Sequence, residues 1–278
     1  MKRLVESELL DELPARDPRA ARSRRDIQRL NLLTGHDRIL ADALNEVFPE
    51  RAPRQIIELG AGNGHFFLSV ARRLGGDWQN VNARLVDRVD GFDPKISDDL
   101  KMLQWNVHLE IADAFAYLRR PLARSDEAGG AASTNCAGER SADSLVRVNP
   151  LVEIRGQGCP RSDTRRVAGT SEVVVANQFF HQFQSAELCE MFRLAADSAD
   201  VLIAVEPRRG LWPLLCSHFV GLAGCGPVTR YDAPVSVRAG FNDRELSALW
   251  PDRNSWELTE RRAGWFSHLF IAKRKLIE

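Results

Sequence analysis

The sequence predicts an α/β fold in which a mostly parallel sheet carries helices on both faces. Short apolar runs that end in polar residues alternate along the chain with segments that have the spacing of amphipathic helices. A glycine-rich turn stands directly between the first of these runs and the helical segment that follows it. Strands that alternate with helices are typical of βαβ units, and such units build parallel sheets.

Residues 1–50 are predicted to form a helical segment ahead of the sheet. Asp17 is a candidate N-cap, with Pro18 at the first helical position. An apolar face recurs at helical spacing through residues 40–48. Six arginines are interspersed with acids, which favours a solvated helix face and leaves open a patch for an acidic substrate. They are Arg16, Arg19, Arg22, Arg24, Arg25 and Arg29.

The first apolar run, residues 55–57, leads through Glu58 into a turn that predicts a nucleotide-type ligand. Its glycines are Gly60, Gly62 and Gly64, and residues 65–74 then read as a helix. Glycine permits positive φ and a close ligand, and the free N–H groups at a helix start attract an anion. The spacing is G-x-G-x-G, whereas a dinucleotide turn, as in a dehydrogenase, reads G-x-G-x-x-G.

Polar residues end the next strand units as well. Residues 83–87 end in Asp87, which lies 23 positions after Gly64. An acid about 20 residues beyond such a turn suits a carboxylate that accepts hydrogen bonds from ribose hydroxyls. Residues 107–114 contain Asp113, and residues 172–176 lead into Asn177. Either acid could instead be a helix cap or a turn residue, since Asp is common at both.

This ordered set of glycines and acids resembles class I S-adenosylmethionine-dependent methyltransferases of the small-molecule type. The resemblance covers about residues 50–278, apart from an insertion. It implies a Rossmann-like, seven-stranded, mostly parallel sheet with helices on both faces, a C-terminal antiparallel hairpin and N-terminal helices. The implied division is an N-terminal helical segment or lid at 1–50 and a methyltransferase domain at 51–278 with a flexible insertion at 121–170.

The resemblance also implies a cofactor, S-adenosylmethionine, and the residues that hold it. Glu58 would face the ammonium group, the glycine turn the carboxylate, Asp87 the ribose and Asp113 the adenine amino group. Motif IV, at Asn177, would face the transferred methyl. The predicted cofactor-binding residues are Glu58, Gly60, Ala61, Gly62, Gly64, Asp87, Arg88, Asp113, Ala114, Asn177 and Gln178.

The predicted acceptor is a small molecule, with a phenolic or polyketide-derived hydroxyl as one candidate. A phenol, with an unperturbed pKa of about 10, benefits from a base or a cation, so the catalytic candidates are His181 first and Arg208 second. Glu206 and His268 are expected at the same rim, and a structural role for His181 stays open. A protein or RNA methyltransferase, and a non-catalytic cofactor-binding subunit, are the alternatives. Residues 177–180 lack both prolines of the Asn-Pro-Pro-Tyr motif that is typical of amino-directed nucleic-acid methyltransferases.

Composition agrees with a soluble, cytoplasmic protein. Lys+Arg and Asp+Glu both number 38, which implies no general attraction to nucleic acid or to a membrane. No run approaches the roughly 20 apolar residues of a membrane span. The five cysteines form no C-x-x-C pair and predict no metal site. Residues 121–170 are rich in small and polar residues, so we expect a mobile surface insertion, with a substrate or partner flap as the alternative.

Overall fold

A computed structural model describes residues 1–14, 16–120 and 172–275. The predicted insertion at 121–170, with its alternative role as a flap, lies outside these described residues. The strands are β1 (Gln55–Leu59), β2 (Asn82–Asp87), β3 (Asn106–Ile111), β4 (Glu172–Asn177), β5 (Val201–Pro207), β6 (Trp256–Ala263) and β7 (Ser267–Arg274). The helices are α1 (Leu9–Glu12), α2 (Pro18–Thr34), α3 (His36–Val47), α4 (His65–Leu74), α5 (Ile96–Met102), α6 (Ala114–Leu118), α7 (Ser185–Ser198), α8 (Leu211–Ser217), α9 (Pro227–Ala239) and α10 (Glu245–Leu249).

The seven strands form one sheet in the order β3-β2-β1-β4-β5-β7-β6. Strands β1 to β5 pair in parallel, whereas β7 pairs antiparallel with both β5 and β6. The order reverses at β1, whose neighbours are β2 and β4, and ligands of open α/β sheets bind at such a point. The predicted fold, including the C-terminal antiparallel hairpin, is confirmed.

Two hydrophobic cores, one on each face of the sheet, hold the helices in place. Successive side chains of a strand point to opposite faces, so Val173 and Val175 of β4 belong to the core that contains α3 and α4. Val174 and Ala176 belong to the core that contains α7 and α10. All four side chains are fully buried, which explains why β4 reads as a continuous apolar run.

The N-terminal helices and α9 lie near the carboxyl ends of the parallel strands. The carboxylate of Asp17 accepts the Arg19 N–H at 2.8 Å and Pro18 opens α2, so this predicted helix start is confirmed. Helix α9 contains Pro234 in its interior. This helix packs against α1, α2 and α8. Among the described residues, no helix combines the length and the apolar character that a membrane crossing needs.

Candidate active site

A cavity of about 740 Å³ lies at the carboxyl ends of β1, β2 and β4, under α2, α8 and α9. Its size falls within the range of about 300–1,000 Å³ that is typical of small-molecule sites. Ten of the eleven predicted cofactor-binding residues line it, namely Glu58, Gly60, Ala61, Gly62, Asp87, Arg88, Asp113, Ala114, Asn177 and Gln178. Gly64 does not line it, and the structure gives this residue a packing role. A Cβ added there would lie 2.9 Å from Ile96 Cγ2.

The glycine turn has the predicted backbone conformation but not the predicted free donors. Gly60, Gly62 and Gly64 all have positive φ, at 71°, 59° and 83°. The N–H groups of Gly60 and Ala61 donate to the carbonyl oxygen of Val86 at 2.9 and 3.1 Å, and Gly64 N–H donates to Ala61. These three N–H groups therefore have partners within the protein and are not free to receive an anion, while an anion site at the start of α4 stays a prediction.

Glu58 is a buried carboxyl group at the base of the cavity. It lies in β1, where flanking parallel strands cover the backbone, and only 2% of its surface is exposed. Its Oε2 atom has no hydrogen-bond partner among the described residues. Burial, and after it the nearby charge of Asp87, raises the pKa of Glu58 to about 8. A buried acid that lacks a partner and faces a cavity suits a cationic ligand.

Asp87 and Asp113 lie at the same edge, and each is anchored by backbone N–H groups. The two Asp87 oxygens accept from Gly62 at 2.7 Å and from Val89 at 2.8 Å. Burial raises the pKa of Asp87, while these hydrogen bonds and the charges of two arginines oppose the rise. Asp113 caps α6 by accepting the Ala116 N–H at 3.0 Å. Asp113 thus combines the two roles that the sequence had set as alternatives, a helix cap and a position on the ligand side.

Asn177, the last residue of β4, and Gln178 both contact the N-terminal helices. The Oδ1 atom of Asn177 lies 2.7 Å from Nδ1 of His36, the first residue of α3. The amide of Gln178, a residue with φ of 50°, donates to Asn31 Oδ1 at 2.6 Å. The sequence analysis missed His36, which lines the cavity and is 2% exposed. No local motif marks it, because its contact partner is 141 positions away.

His181 also lines the cavity, but both its ring nitrogens are occupied. Nδ1 lies 2.9 Å from Glu206 Oε2, and Nε2 lies 3.2 Å from Glu8 Oε1. Burial by itself would lower the pKa of His181, but the hydrogen bonds to the two carboxylates outweigh it and raise the pKa to about 9. His181 is thus an imidazolium near neutral pH. It has no free nitrogen for a proton, so this geometry does not support it as a general base.

The structure also corrects the predicted acceptor rim, since Arg208, Glu206 and His268 do not line the cavity. The guanidinium of Arg208 donates to the carbonyl oxygen of Trp265 at 2.7 and 3.0 Å. Glu206 is fully buried and accepts three backbone N–H groups, at residues 179–181. His268 pairs with Glu260 at 2.8 Å on the antiparallel hairpin. The position of these residues near strand ends predicted the edge of the sheet where the cavity lies, but it did not predict the partner of each side chain.

Arg24 is the member of the arginine cluster that faces the cavity. Its guanidinium carbon lies 3.8 Å from the position that a Cβ on Gly91 would take, and the Gly62 carbonyl oxygen lies equally close to that position. Its charge also lowers the pKa of Asp87. Spacing could have identified it, because Ala20, Ile27 and Asn31 share its face of α2 at helical intervals.

Comparisons with known proteins agree with this fold. No protein-family model matches the sequence, and no curated protein matches it. Two solved structures that it resembles are the plantazolicin methyltransferase BpumL in complex with SAH and the S-adenosylmethionine-dependent methyltransferase SibL. BpumL is 10% identical, with a TM-score of 0.52 over 94% of this chain and 92% of that one. SibL is 11% identical, with a TM-score of 0.51 over 98% and 63%. This chain has the class I methyltransferase fold.

A third similar structure is an O-methyltransferase family protein from Burkholderia thailandensis. It is 17% identical, with a TM-score of 0.47 over 95% of this chain and 62% of that one. The chain therefore spans about six tenths of the length of that methyltransferase and of SibL. At these identities the likeness shows the fold, and activity has to be argued from the site.

Proposed function

We propose that this methyltransferase-fold protein binds S-adenosylmethionine and transfers its methyl group to a small-molecule acceptor. The observation that carries the proposal is the buried Glu58 carboxyl, which lines the cavity beside the glycine turn and whose Oε2 has no hydrogen-bond partner among the described residues. When bound, the cofactor supplies an electrophilic methyl on a positively charged sulfur. An unpaired buried acid costs folding free energy, and a cationic ligand offsets that cost.

The described residues offer a partner for each part of this cofactor. Glu58 faces the ammonium group. The Asp87 oxygens each accept one backbone N–H and keep acceptor capacity for the ribose hydroxyls. Asp113 uses one oxygen as a helix cap and can accept from the adenine amino group with the other. Because the N–H groups of Gly60, Ala61, Gly62 and Gly64 are used internally, Arg24 is the group that would meet the carboxylate.

The rest of the cavity favours an apolar or aromatic acceptor. Its apolar lining includes Ile27, Leu30, Phe179, Phe183 and Phe219. Such walls exclude water and hold the acceptor in line with the methyl carbon and sulfur, and this positioning supplies much of the rate enhancement.

Calorimetry with the full chain tests the cofactor assignment. We expect S-adenosylmethionine and S-adenosylhomocysteine to bind and NAD⁺ not to bind. Losing a hydrogen bond to a charged group costs about 1.5–3 kcal/mol, so Asp87→Ala should weaken binding by about tenfold to a hundredfold. Asp99→Ala serves as the control, because Asp99 forms an exposed ion pair with Arg72. This variant should bind the cofactor with wild-type affinity. If Asp87→Ala bound S-adenosylmethionine with wild-type affinity, the assignment of this cavity as the cofactor site would be contradicted.

A methyl-transfer assay then tests the acceptor class. Labelled S-adenosylmethionine is supplied with separated small-molecule, protein and RNA fractions of a cell extract. We expect label in the small-molecule fraction. Label in protein or RNA would instead support a macromolecular acceptor. Tight cofactor binding with no labelled product in any fraction would indicate a non-catalytic cofactor-binding subunit.

A further inference from the structure

We propose that His36, at the start of α3, is the catalytic residue that takes the proton from the acceptor, and that Asn177 positions it. The inference rests on the proposed methyl transfer and assigns to an N-terminal helix a step that the sequence had assigned to the strand-end histidine, His181. The geometry distinguishes the two histidines. Both ring nitrogens of His181 have hydrogen-bond partners, whereas Nε2 of His36 has none among the described residues.

The hydrogen bond to Asn177 determines which nitrogen of His36 is available. An amide oxygen only accepts, so Asn177 Oδ1 at 2.7 Å favours the tautomer that carries its proton on Nδ1. The Gln178 amide nitrogen lies 3.5 Å from the same Nδ1, but it donates at 2.6 Å to Asn31 Oδ1, so the shorter contact with Asn177 decides the tautomer. The lone pair then lies on Nε2. Within residues 1–14, 16–120 and 172–275, no group forms a hydrogen bond with Nε2, and His36 is one of the residues that line the cavity. A base needs this arrangement of one anchored nitrogen and one free nitrogen.

The surroundings of His36 keep it neutral. Burial is the largest influence and lowers its pKa below the ordinary value of 6.5, although Asn177, Glu206 and Asp37 oppose this effect. The charge of Asp37 is partly offset by Arg73, whose Nε lies 2.6 Å from its carboxylate. The positive charge of His181 lowers the pKa of His36 further. The unprotonated form, which is the active form of a base, therefore predominates at neutral pH.

In the proposed step, the acceptor's hydroxyl proton moves to Nε2 of His36 as the acceptor oxygen attacks the methyl carbon. The oxygen–carbon bond forms while the carbon–sulfur bond breaks, and its electron pair remains on sulfur, which becomes a neutral thioether. The His36 imidazolium then returns its proton to solvent when the cavity opens. Asn177 Oδ1 accepts from Nδ1–H throughout, so it orients the ring and stabilises the transient charge.

An NMR experiment tests the tautomer without any acceptor. The full chain is labelled with ¹⁵N-histidine, and long-range proton–nitrogen spectra are recorded against pH with S-adenosylhomocysteine absent and present. We expect His36 to be neutral at neutral pH, with its proton on Nδ1 and a pKa below 6.5, and His181 to be doubly protonated. His36→Gln assigns the signals. A His36 that carries its proton on Nε2, or that is charged at pH 7, would overturn the proposal.

Kinetics with the acceptor from the methyl-transfer assay test the role. A positioned base contributes about 10²–10⁴ in rate, so His36→Gln should lower kcat by that factor with S-adenosylhomocysteine affinity within about twofold. The matched control is His108→Gln, an exposed histidine on β3 outside the cavity. Asn177→Asp should shift the acidic limb of the plot of kcat against pH to higher pH, because a carboxylate stabilises the imidazolium form of His36 and so raises its pKa.

The outcomes separate this inference from the proposed function. If the wild type binds no cofactor, the proposed function fails. If the wild type transfers methyl groups and His36→Gln does so at the same rate, only the role of His36 fails. If His36→Gln does not fold, the pH profile of kcat in Asn177→Asp tests the proposal instead. An acidic limb at the same pH as in the wild type would contradict the role of His36 as a base that Asn177 positions.

Discussion

At the scale of single residues, the environment of a buried acid separates a structural group from a ligand group. Glu206 and Glu58 both lie in central strands and are both inaccessible to solvent. Three backbone N–H groups and His181 satisfy Glu206. Glu58 lines the cavity, and no described residue forms a hydrogen bond with its Oε2. Buried polar groups are normally hydrogen-bonded, so the exception marks the place where a ligand is expected to supply the missing partner.

We predict that cofactor binding ionises Glu58 and releases a proton. With a pKa of about 8, this carboxyl is protonated in the free protein at about pH 6.5, and a ligand ammonium, itself protonated there, favours the carboxylate. Calorimetry with S-adenosylhomocysteine in two buffers of different ionisation enthalpy counts the protons. We expect the release of close to one proton in the wild type and markedly less in Glu58→Gln. Equal release by both would mean that Glu58 does not meet the charge.

Adjacent arginines on α2 give a matched pair for the ligand's carboxylate. Arg24 lines the cavity, whereas its neighbour Arg25 is exposed and does not. If Arg24 meets the carboxylate, Arg24→Gln should weaken S-adenosylhomocysteine about tenfold to a hundredfold, as expected for a charged hydrogen bond. Arg25→Gln has the same change in net charge, so it controls for long-range electrostatics. Equal losses in both variants would show that only the overall charge matters.

At the scale of elements, local patterns predicted most of what the structure contains. Strand β1, the glycine turn and α4 form one continuous stretch, so their pattern was visible in the sequence. The N-terminal helices were predicted as a lid, but the contacts that hold them at the cavity were not visible, because they join segments far apart in the sequence. Glu8 meets His181 across 173 positions, and His36 meets Asn177 across 141. The periodicity of α9 is weakened by Pro234, and only its packing against α1, α2 and α8 explains why it is helical.

The N-terminal segment is held by the ion pairs of His181, and this predicts a pH-dependent stability. His181 has a pKa of about 9 in the folded chain against an ordinary value of 6.5. Its stabilisation is therefore complete below about 6.5 and is lost as the pH rises through 9. We expect the unfolding free energy from urea denaturation to fall across this interval.

The comparison with variants isolates the contribution of His181. Glu58 also has a raised pKa, so it adds to the alkaline loss of stability in every variant that retains it. His181→Gln should lower stability at about pH 6.5 and show a shallower decline toward pH 9, while the exposed control His108→Gln should follow the wild type. A decline in His181→Gln as steep as in the wild type would exclude His181 as its source.

At the scale of the whole molecule, one edge of one sheet gathers the candidate chemistry. The strand order places β2 and β4 on either side of β1, so Glu58, Asp87 and Asn177 share one cavity although they are far apart in sequence. The N-terminal helices close this edge from above and contribute Arg24 and His36. The sheet therefore supplies most of the groups proposed to hold the cofactor. The N-terminal helices supply Arg24, proposed to meet the carboxylate of the cofactor, and His36, proposed to deprotonate the acceptor. The lid role of residues 1–50 stays a prediction.

The last prediction concerns residues 123–168, which lie outside the described part of the chain. All seven strands and the cavity-lining groups argued above come from the described residues. Since α6 and β4 flank the segment and already pack within the sheet's second core, a short Gly–Ser linker in its place should leave the melting temperature and S-adenosylhomocysteine affinity close to wild type. A linker of scrambled native sequence and equal length to the segment serves as the control for chain length. Loss of cofactor affinity with the fold intact would show that the segment contributes to the site, and loss of the fold would show that the domain needs it to form.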